Sequence, residues 1–357
     1  MGLHHAIFAR LAPSGRCLRR LAVAAFALLA IGAASAAQAA PEPIPVHFGL
    51  IGSLSGQELE ERWKPLLKDL SDSIGAPVVA EVASDYAGMI WALREGRVQV
   101  AWLGNKSAIE AVDHARGEVF AKVVGPNGLA GYYSLLVVRT QSPLNSANDL
   151  LRQSGQLTLA LGDPISTSGY IVPMFGLFGP DQNPERMFKR IVHGNHEATF
   201  GAVVDGRVDA GVIASTALEQ LTITRPQESG TLRVIWRSQL IPSDPLVWRK
   251  DLPDDTKQAL RAFFLSYAQP SPGKTPQRLA HERDALRSLS IGGFSLTDDR
   301  HLLPVRRLEL FGQRLRLEHE TQFSPEEKAR RLAAIDQAIN VLVKDLSARV
   351  SEPENQP

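Results

Sequence analysis

The sequence predicts an α/β protein of two lobes, each an open sheet flanked by helices. Three observations carry this reading. Apolar strand-like runs alternate with helical stretches in β-α-β-α-β order from residue 44 onward. The same alternation restarts after residue 142. Two strand-like stretches, near 136–140 and 234–242, would join the two units as a double hinge. With 357 residues, 44% hydrophobic and 22% charged, the chain is long enough for two sizeable cores.

Taken in order, IPVHFGLIGS (44–53) reads as the first strand. QELEERWKPLLKDLSDSIG (57–75) is a helix stopped by Gly75 and Pro77. VVAEVA (78–83) is a strand, and DYAGMIWALREG (85–96) a helix with Asp85 as N-cap and Gly96 at its end. VQVAWLG (98–104) is a strand and NKSAIEAVDHARG the helix after it. GYYSLLVVRTQS (131–142) closes the first unit. In the second unit residues 148–153 are helical, LTLALG is a strand, STSGYIVPMFGLF a helix and RIVHG a strand. HEATFGAVVDGR, VDAGVIAS and ALEQL follow as helix, strand and helix, and LRVIWRSQLIP (232–242) leads back. From about Leu246 to Glu320 the pattern is mixed and mainly helical. SPEEKARRLAAIDQAINVLVKDLSARV (324–350) is a long amphipathic helix. In it Leu332, Ile335, Ile339, Leu342 and Leu346 recur at helical spacing, and Ser324 with Glu327 makes a capping box. That stripe leaves two readings open, packing on its own lobe or a homodimer contact.

The first forty residues stand apart. Arg10, Arg16, Arg19 and Arg20 precede the apolar LAVAAFALLAIGAA, and Ala37-Gln38-Ala39 supplies a small-residue cleavage site, the pattern of a secretory signal peptide. The apolar run is short for a membrane span. Cys17, the chain's one cysteine, lies ahead of the apolar run, which does not fit a lipoprotein anchor. The mature chain therefore has no disulfide, and export then points to a bacterial periplasm. Removing four arginines and no acid from a formal +1 leaves it near −3, which points away from nucleic acid as a partner. An anion would have to be held by placed donors rather than by a basic field.

The stretch with most chemistry is GDPISTSG (162–169). A strand, a turn, then Ser166, Thr167, Ser168 and Gly169 at a helix start offer unpaired backbone N–H groups, hydroxyls and room for close approach. An N-cap alone explains one of these hydroxyls, so cap and anion cradle both stay open. The stretch lacks the lysine of a P-loop and the flanking glycines of a nucleophile elbow. Tyr86 and His196 stand at two further helix starts. Tyr132 lies just ahead of the first crossing, and Asp244 follows the second. No His/Cys group has metal-ligand spacing, and Ser166, His196 and Asp244 are a triad only in composition, so no catalytic set, metal or cofactor is expected.

Taken together, DYAGMIWALREGRVQVAWLGNKSAIEAVDHARGEVFA, GYYSLLVV, GDPISTSGYIVP, GNHEAT and IPSDPLVWRK resemble PhnD-type phosphonate-binding proteins of ABC importers. The likeness runs from about His47 to the C-terminal helix. It implies a type II periplasmic-binding fold, with residues 1–39 a signal peptide and 44–137 plus 241–322 one lobe. Residues 138–240 would form the other lobe and 323–350 the C-terminal helix. It implies a ligand shell of Tyr86, Tyr132, Ser166, Thr167, Ser168, His196 and Asp244, a phosphonate, phosphite or phosphate as ligand, and permease subunits as partner. A sensor built on the same fold is the alternative, an enzyme on it a more distant one. Two positions depart from the aminoalkylphosphonate binders. Thr216 stands where they carry a glutamate for the ligand amine, and Leu103 replaces a tyrosine in WLGN. Without the second carboxylate, Asp244 would meet either a P–OH group or an ammonium.

Overall fold

The computed structural model describes residues 44–351 except 52–55, 84, 127 and 180–181. The signal-peptide and Cys17 expectations lie outside the described residues. Two sheets carry the fold. In chain order the first holds β1 (Val46–Leu50), β2 (Val78–Val82), β3 (Val100–Trp102), β4 (Gly117–Val124), β12 (Pro245–Arg249) and β13 (Gly293–Leu296), arranged β13-β4-β12-β3-β1-β2. The second holds β6 (Ser134–Arg139), β7 (Thr158–Leu161), β8 (Arg190–His193), β9 (Ala210–Ala214) and β10 (Leu232–Arg237), arranged β10-β6-β9-β7-β8. A short ribbon, β5 (Gly131–Tyr132) against β11 (Ile241–Pro242), lies where the chain passes from the first sheet to the second and back.

Within each sheet parallel pairs meet antiparallel ones. β1 runs parallel to β2 and β3, and β7 parallel to β8 and β9, while β12 and β6 run antiparallel to their neighbours. Strands buried on both faces explain the near-continuous apolar runs that marked them in the sequence. On one face of the first sheet Trp63, Phe48, Phe120, Phe264 and Trp248 pack together, Phe120 stacking on Trp248 with centroids 4.1 Å apart. On the other face Met89, Leu103, Ala108 and Val305 form a second core.

The alternating elements fall where the sequence placed them, with four differences. Residues 136–139 and 234–237 are not crossings. They pair as β6 and β10 inside the second sheet, so the passage between sheets falls at 125–133 and 238–244. The strands β4, β12 and β13 went unread: Gly117, which opens GEVFAKVV, reads as the end of the helix before it, and the other two lie in the mixed segment. STSGYIVPMFGLF is not one α-helix. Thr167–Ile171 and Met174–Phe178 are wide π-helical turns, with the Ile171 N–H reaching back to Ser166 O at 3.1 Å. Pro173, which has no N–H to donate, stands between them.

The fourth difference concerns the capping box. Ser324 Oγ accepts from Glu327 N at 3.2 Å, but the Glu327 carboxylate turns to Arg330 and Arg331 instead of closing the box. The helix Pro325–Ser351 packs against the helix Leu303–His319, with Ile339 buried between them. No helix among the described residues is long and apolar enough to cross a membrane.

Candidate functional site

The site lies just past the carboxyl ends of the parallel strands, where loops of an open α/β sheet are free to face a ligand. Ile51 follows β1, Trp102 ends β3, Gly162 follows β7 and Ala214 ends β9. Around them Tyr86, Gly104, Tyr132, Ser166, Thr167, Ser168, His196, Thr216 and Asp244 line a cavity of about 30 Å³. All seven residues singled out from the sequence are brought together there. Leu103 is not among them: it is fully buried in the core of the first sheet, and its neighbours Trp102 and Gly104 face the cavity instead.

The loop 162–169 is pinched shut at its base, with Gly162 N donating to Gly169 O at 2.9 Å. A Cβ on Gly162 would stand 2.6 Å from Gly169 Cα, so the two strands of the loop approach as only glycines allow. Asp163 shapes the turn, its Oδ1 accepting from Ile165 N at 2.7 Å and its carbonyl from Ser166 N at 2.8 Å.

Each of the three hydroxyls then accepts one N–H. Ser166 Oγ takes Gly169 N at 3.0 Å, which makes it the N-cap of the π-helical turn. Thr167 Oγ1 takes Lys106 N at 2.8 Å, from the first turn of the helix Asn105–His114, whose own N-cap residue is Gly104 and has no side chain to offer. Ser168 Oγ lies 3.2 Å from His196 Nε2. His196 Nδ1 accepts from Ala214 N at 3.3 Å, so the ring proton sits on Nε2 and is donated to Ser168. With each oxygen already accepting an N–H, its proton is left to donate, and Ser166 and Ser168 are hydrogen-bonded to the phenols of Tyr86 and Tyr132.

Burial sets the charge states. His196 is 7% exposed, and desolvation lowers its pKa to about 4, so it is neutral at pH 7. Burial pushes Tyr86 up to about 12 against the opposing hydrogen bond from Ser166, with Asp244 raising it further. Tyr132 is likewise raised by burial, then by Asp244, with which it shares a hydrogen bond. Asp244 is raised to about 7 by burial, held down somewhat by that same bond. Its Oδ1 atom is buried without a hydrogen-bond partner. No arginine or lysine lines the cavity, and Lys106 turns its ammonium away to Glu110 and Glu309.

This geometry does not assemble a nucleophile and base. His196 meets Ser168 rather than Ser166, with its proton on the nitrogen a base would need free, and Asp244 pairs with Tyr132. Among the described residues no His/Cys/Asp/Glu group could hold a metal. Sequence reasoning missed Trp102, Gly104 and the helix start at Asn105. A glycine at an N-cap with no side-chain partner nearby in sequence was the available signal.

Neutral donors, helix N-termini and strand ends converge on one small cavity, an arrangement suited to a small anion, on the scaffold of an α/β ligand-binding protein. Residues 48–302 match the family described as "ABC transporter, phosphonate, periplasmic substrate-binding protein". The chain is 41% identical over 277 residues to the "Phosphonates-binding periplasmic protein" of Escherichia coli K12, covering 78% of this chain and 79% of that one. It is 26% identical over 232 residues to the "Phosphate-import protein PhnD" of Mycolicibacterium smegmatis, covering 62% of this chain and 71% of that one. Among solved structures it superposes on a binding protein component of an ABC phosphonate transporter from Pseudomonas aeruginosa. There the TM-score is 0.80 and the identity 40%, over 87% of this chain and all of that one. The chain therefore belongs to the PhnD-type substrate-binding proteins of ABC importers, which capture a substrate in the periplasm and deliver it to a transporter permease.

Proposed function

We propose that the chain captures a phosphonate-type phosphorus oxyanion at the cavity formed by Tyr86, Tyr132, Ser166, Thr167, Ser168, His196 and Asp244. One observation supports the reading: the three hydroxyls of the S-T-S run each accept one N–H and meet the phenols of Tyr86 and Tyr132 at one cavity, where a ligand oxygen would take over the hydroxyl protons that Ser166 and Ser168 now share with those phenols. An oxyanion placed there would meet those hydroxyls, the helix starts and the phenols of Tyr86 and Tyr132. Charge-assisted hydrogen bonds contribute about 1.5–3 kcal/mol each. Four to six of them, less the costs of closure and desolvation, correspond to roughly micromolar to nanomolar binding.

In this reading the two sheets are the cores of two lobes hinged at 125–133 and 238–244, and binding favours the closed form. Thr167, from the second lobe, caps a helix of the first, so the cradle itself is part of the closure contact. Residues 1–39 act as the export signal. Ile339 of the apolar stripe is buried against its own chain, and a homodimer contact would use the side of that helix carrying the exposed Val341. Calorimetric titration of phosphite, phosphate, methylphosphonate and ethylphosphonate into wild type, Ser166→Ala and Ser168→Ala tests the cradle. Each substitution should weaken a bound ligand at least tenfold, and unchanged affinity in both variants would remove the hydroxyls from the site.

A further inference from the structure

The helix Pro276–Ser288 lies on the first sheet's core, and its end shows where a helix sends its last carbonyls. A helix leaves its final four C=O groups without intrahelical partners. Here the chain first turns back on itself, Ser290 N donating to Arg287 O at 3.0 Å and Ile291 N to Leu286 O at 3.0 Å. This is a Schellman ending, with Ser290 at φ 55° in the left-handed position where glycine is usual. The Ser288 carbonyl accepts from Arg62 Nη1 at 2.9 Å, from the helix Gly56–Ile74 on the same core. Leu289 O is left. It accepts from Gln220 Nε2 at 3.0 Å, and Gln220 belongs to the helix Ser215–Thr224, which packs through Ala217 and Leu221 on the core of the second sheet.

This bond therefore joins the two sheets' bodies, and it is shut off from water: Gln220 is 8% exposed and Leu289 4%. A buried amide or carbonyl that loses its partner carries its full desolvation cost, whereas one returned to water does not. The bond thus favours the arrangement in which the two bodies meet. Thr216 stands one turn before Gln220 on the same face of its helix and lines the cradle cavity. Gln220 does not line that cavity; it lines the larger space of about 220 Å³ beyond it, together with Leu289 and Ser290. The bond from Thr167 to Lys106 N is its counterpart. There the second sheet's body caps the start of a helix of the first, and here it caps the end of one.

We propose that Gln220 is a positioning residue for capture: by capping Leu289 O from across the cleft it holds the closed form and slows release of the bound oxyanion. The inference rests on the two-lobe reading and on the cradle. An anion reaches the cradle before the lobes close, so loss of the bond leaves association alone and falls on dissociation.

The test is stopped-flow tryptophan fluorescence with phosphite and methylphosphonate as probes, since Trp102 lines the cavity. Gln220→Met keeps the length and helix preference of the side chain and removes the donor. Methionine is preferred to glutamate because Arg283 and Arg287 line the groove just outside and would meet a new carboxylate. Arg62→Met is the comparison: it takes the partner from the neighbouring carbonyl of the same helix end, within one lobe. Gln220→Met should release the probe about fivefold faster or more, with association within about twofold of wild type. Arg62→Met should lower the melting temperature and leave both rates near wild type. Unchanged release from Gln220→Met, or the same acceleration in Arg62→Met, overturns the role of Gln220 while leaving the cradle and the lobes standing. A wild type that does not contract in small-angle scattering at saturating probe overturns the two-lobe reading and the role of Gln220 with it. Binding of neither probe by wild type overturns the cradle, and again the role of Gln220.

Discussion

Replacing His196 by Gln and Asp244 by Asn, one at a time, should tilt the pH dependence of folding stability in opposite directions. Burial lowers the His196 pKa from 6.5 to about 4. Between those values the unfolded chain binds a proton that the folded chain does not, so stability falls as pH drops through the window. The loss integrates to about 3 kcal/mol at roughly 1.4 kcal/mol per pKa unit. Burial raises Asp244 from 3.8 to about 7. There the folded chain holds the proton that the unfolded chain has released. This contribution is fully present below 3.8 and is lost as pH rises toward 7, up to about 4 kcal/mol by the same conversion. In the wild type the two slopes oppose each other between pH 4 and 6.5 and leave a shallow profile. His196→Gln exposes the Asp244 slope, so stability should fall as pH rises. Asp244→Asn exposes the His196 slope, so stability should rise with pH. Urea unfolding at pH 4.5, 5.5 and 6.5 reads both, and all other titrating groups cancel in the comparison. Profiles of both variants parallel to the wild type would refute the burial argument.

Thr167→Val keeps the shape of the side chain and removes the acceptor for Lys106 N, leaving a buried helix N–H unpaired at a cost of about 1–3 kcal/mol. That cost falls on the closed form, so ligand affinity measured by calorimetry should drop about fivefold to 150-fold while Thr167→Ser stays near wild type. Gly162→Ala places a Cβ 2.6 Å from the Gly169 backbone, and strain of about 1–3 kcal/mol should lower the melting temperature and weaken binding together. Affinity for a non-amino phosphonate should fall as pH rises past about 7, where Asp244 gives up the proton it could share with the oxyanion. Titrations flat from pH 6 to 9 would remove Asp244 from contact with the anion.

The parts of the fold that were legible in sequence are those whose burial is uniform. β1, β3, β7 and β9 are apolar apart from the half-buried His47 and Thr158 because both faces are largely covered, and the helices between them begin at residues such as Asp85, Ser146 and Asn195 whose side chains cap them. β4 escaped notice because its opening Gly117 reads as the end of the preceding helix, while the positive φ that turns the chain falls on Arg116. β6 and β10 looked like crossings because each is a single apolar run. Their mutual pairing within one sheet is a long-range fact that neither run contains. The seven site residues were legible through family motifs. The Gly104 helix start was not, because its cap comes from Thr167, 63 positions along the chain by number.

The S-T-S run shows why capping and ligand binding need not compete. A hydroxyl oxygen that accepts an N–H has its remaining proton directed away from that donor. Ser166 caps its own turn, Thr167 caps a helix from the other sheet, and Ser168 takes the His196 proton, so three separate N–H groups orient three hydroxyl protons. The cradle is in this way set before any anion arrives, and the orienting groups are neutral. A lysine or arginine in their place would attract any anion and would have to be desolvated each time the lobes closed. Neutral, preoriented donors discriminate instead by geometry, through the positions at which they can meet a ligand oxygen.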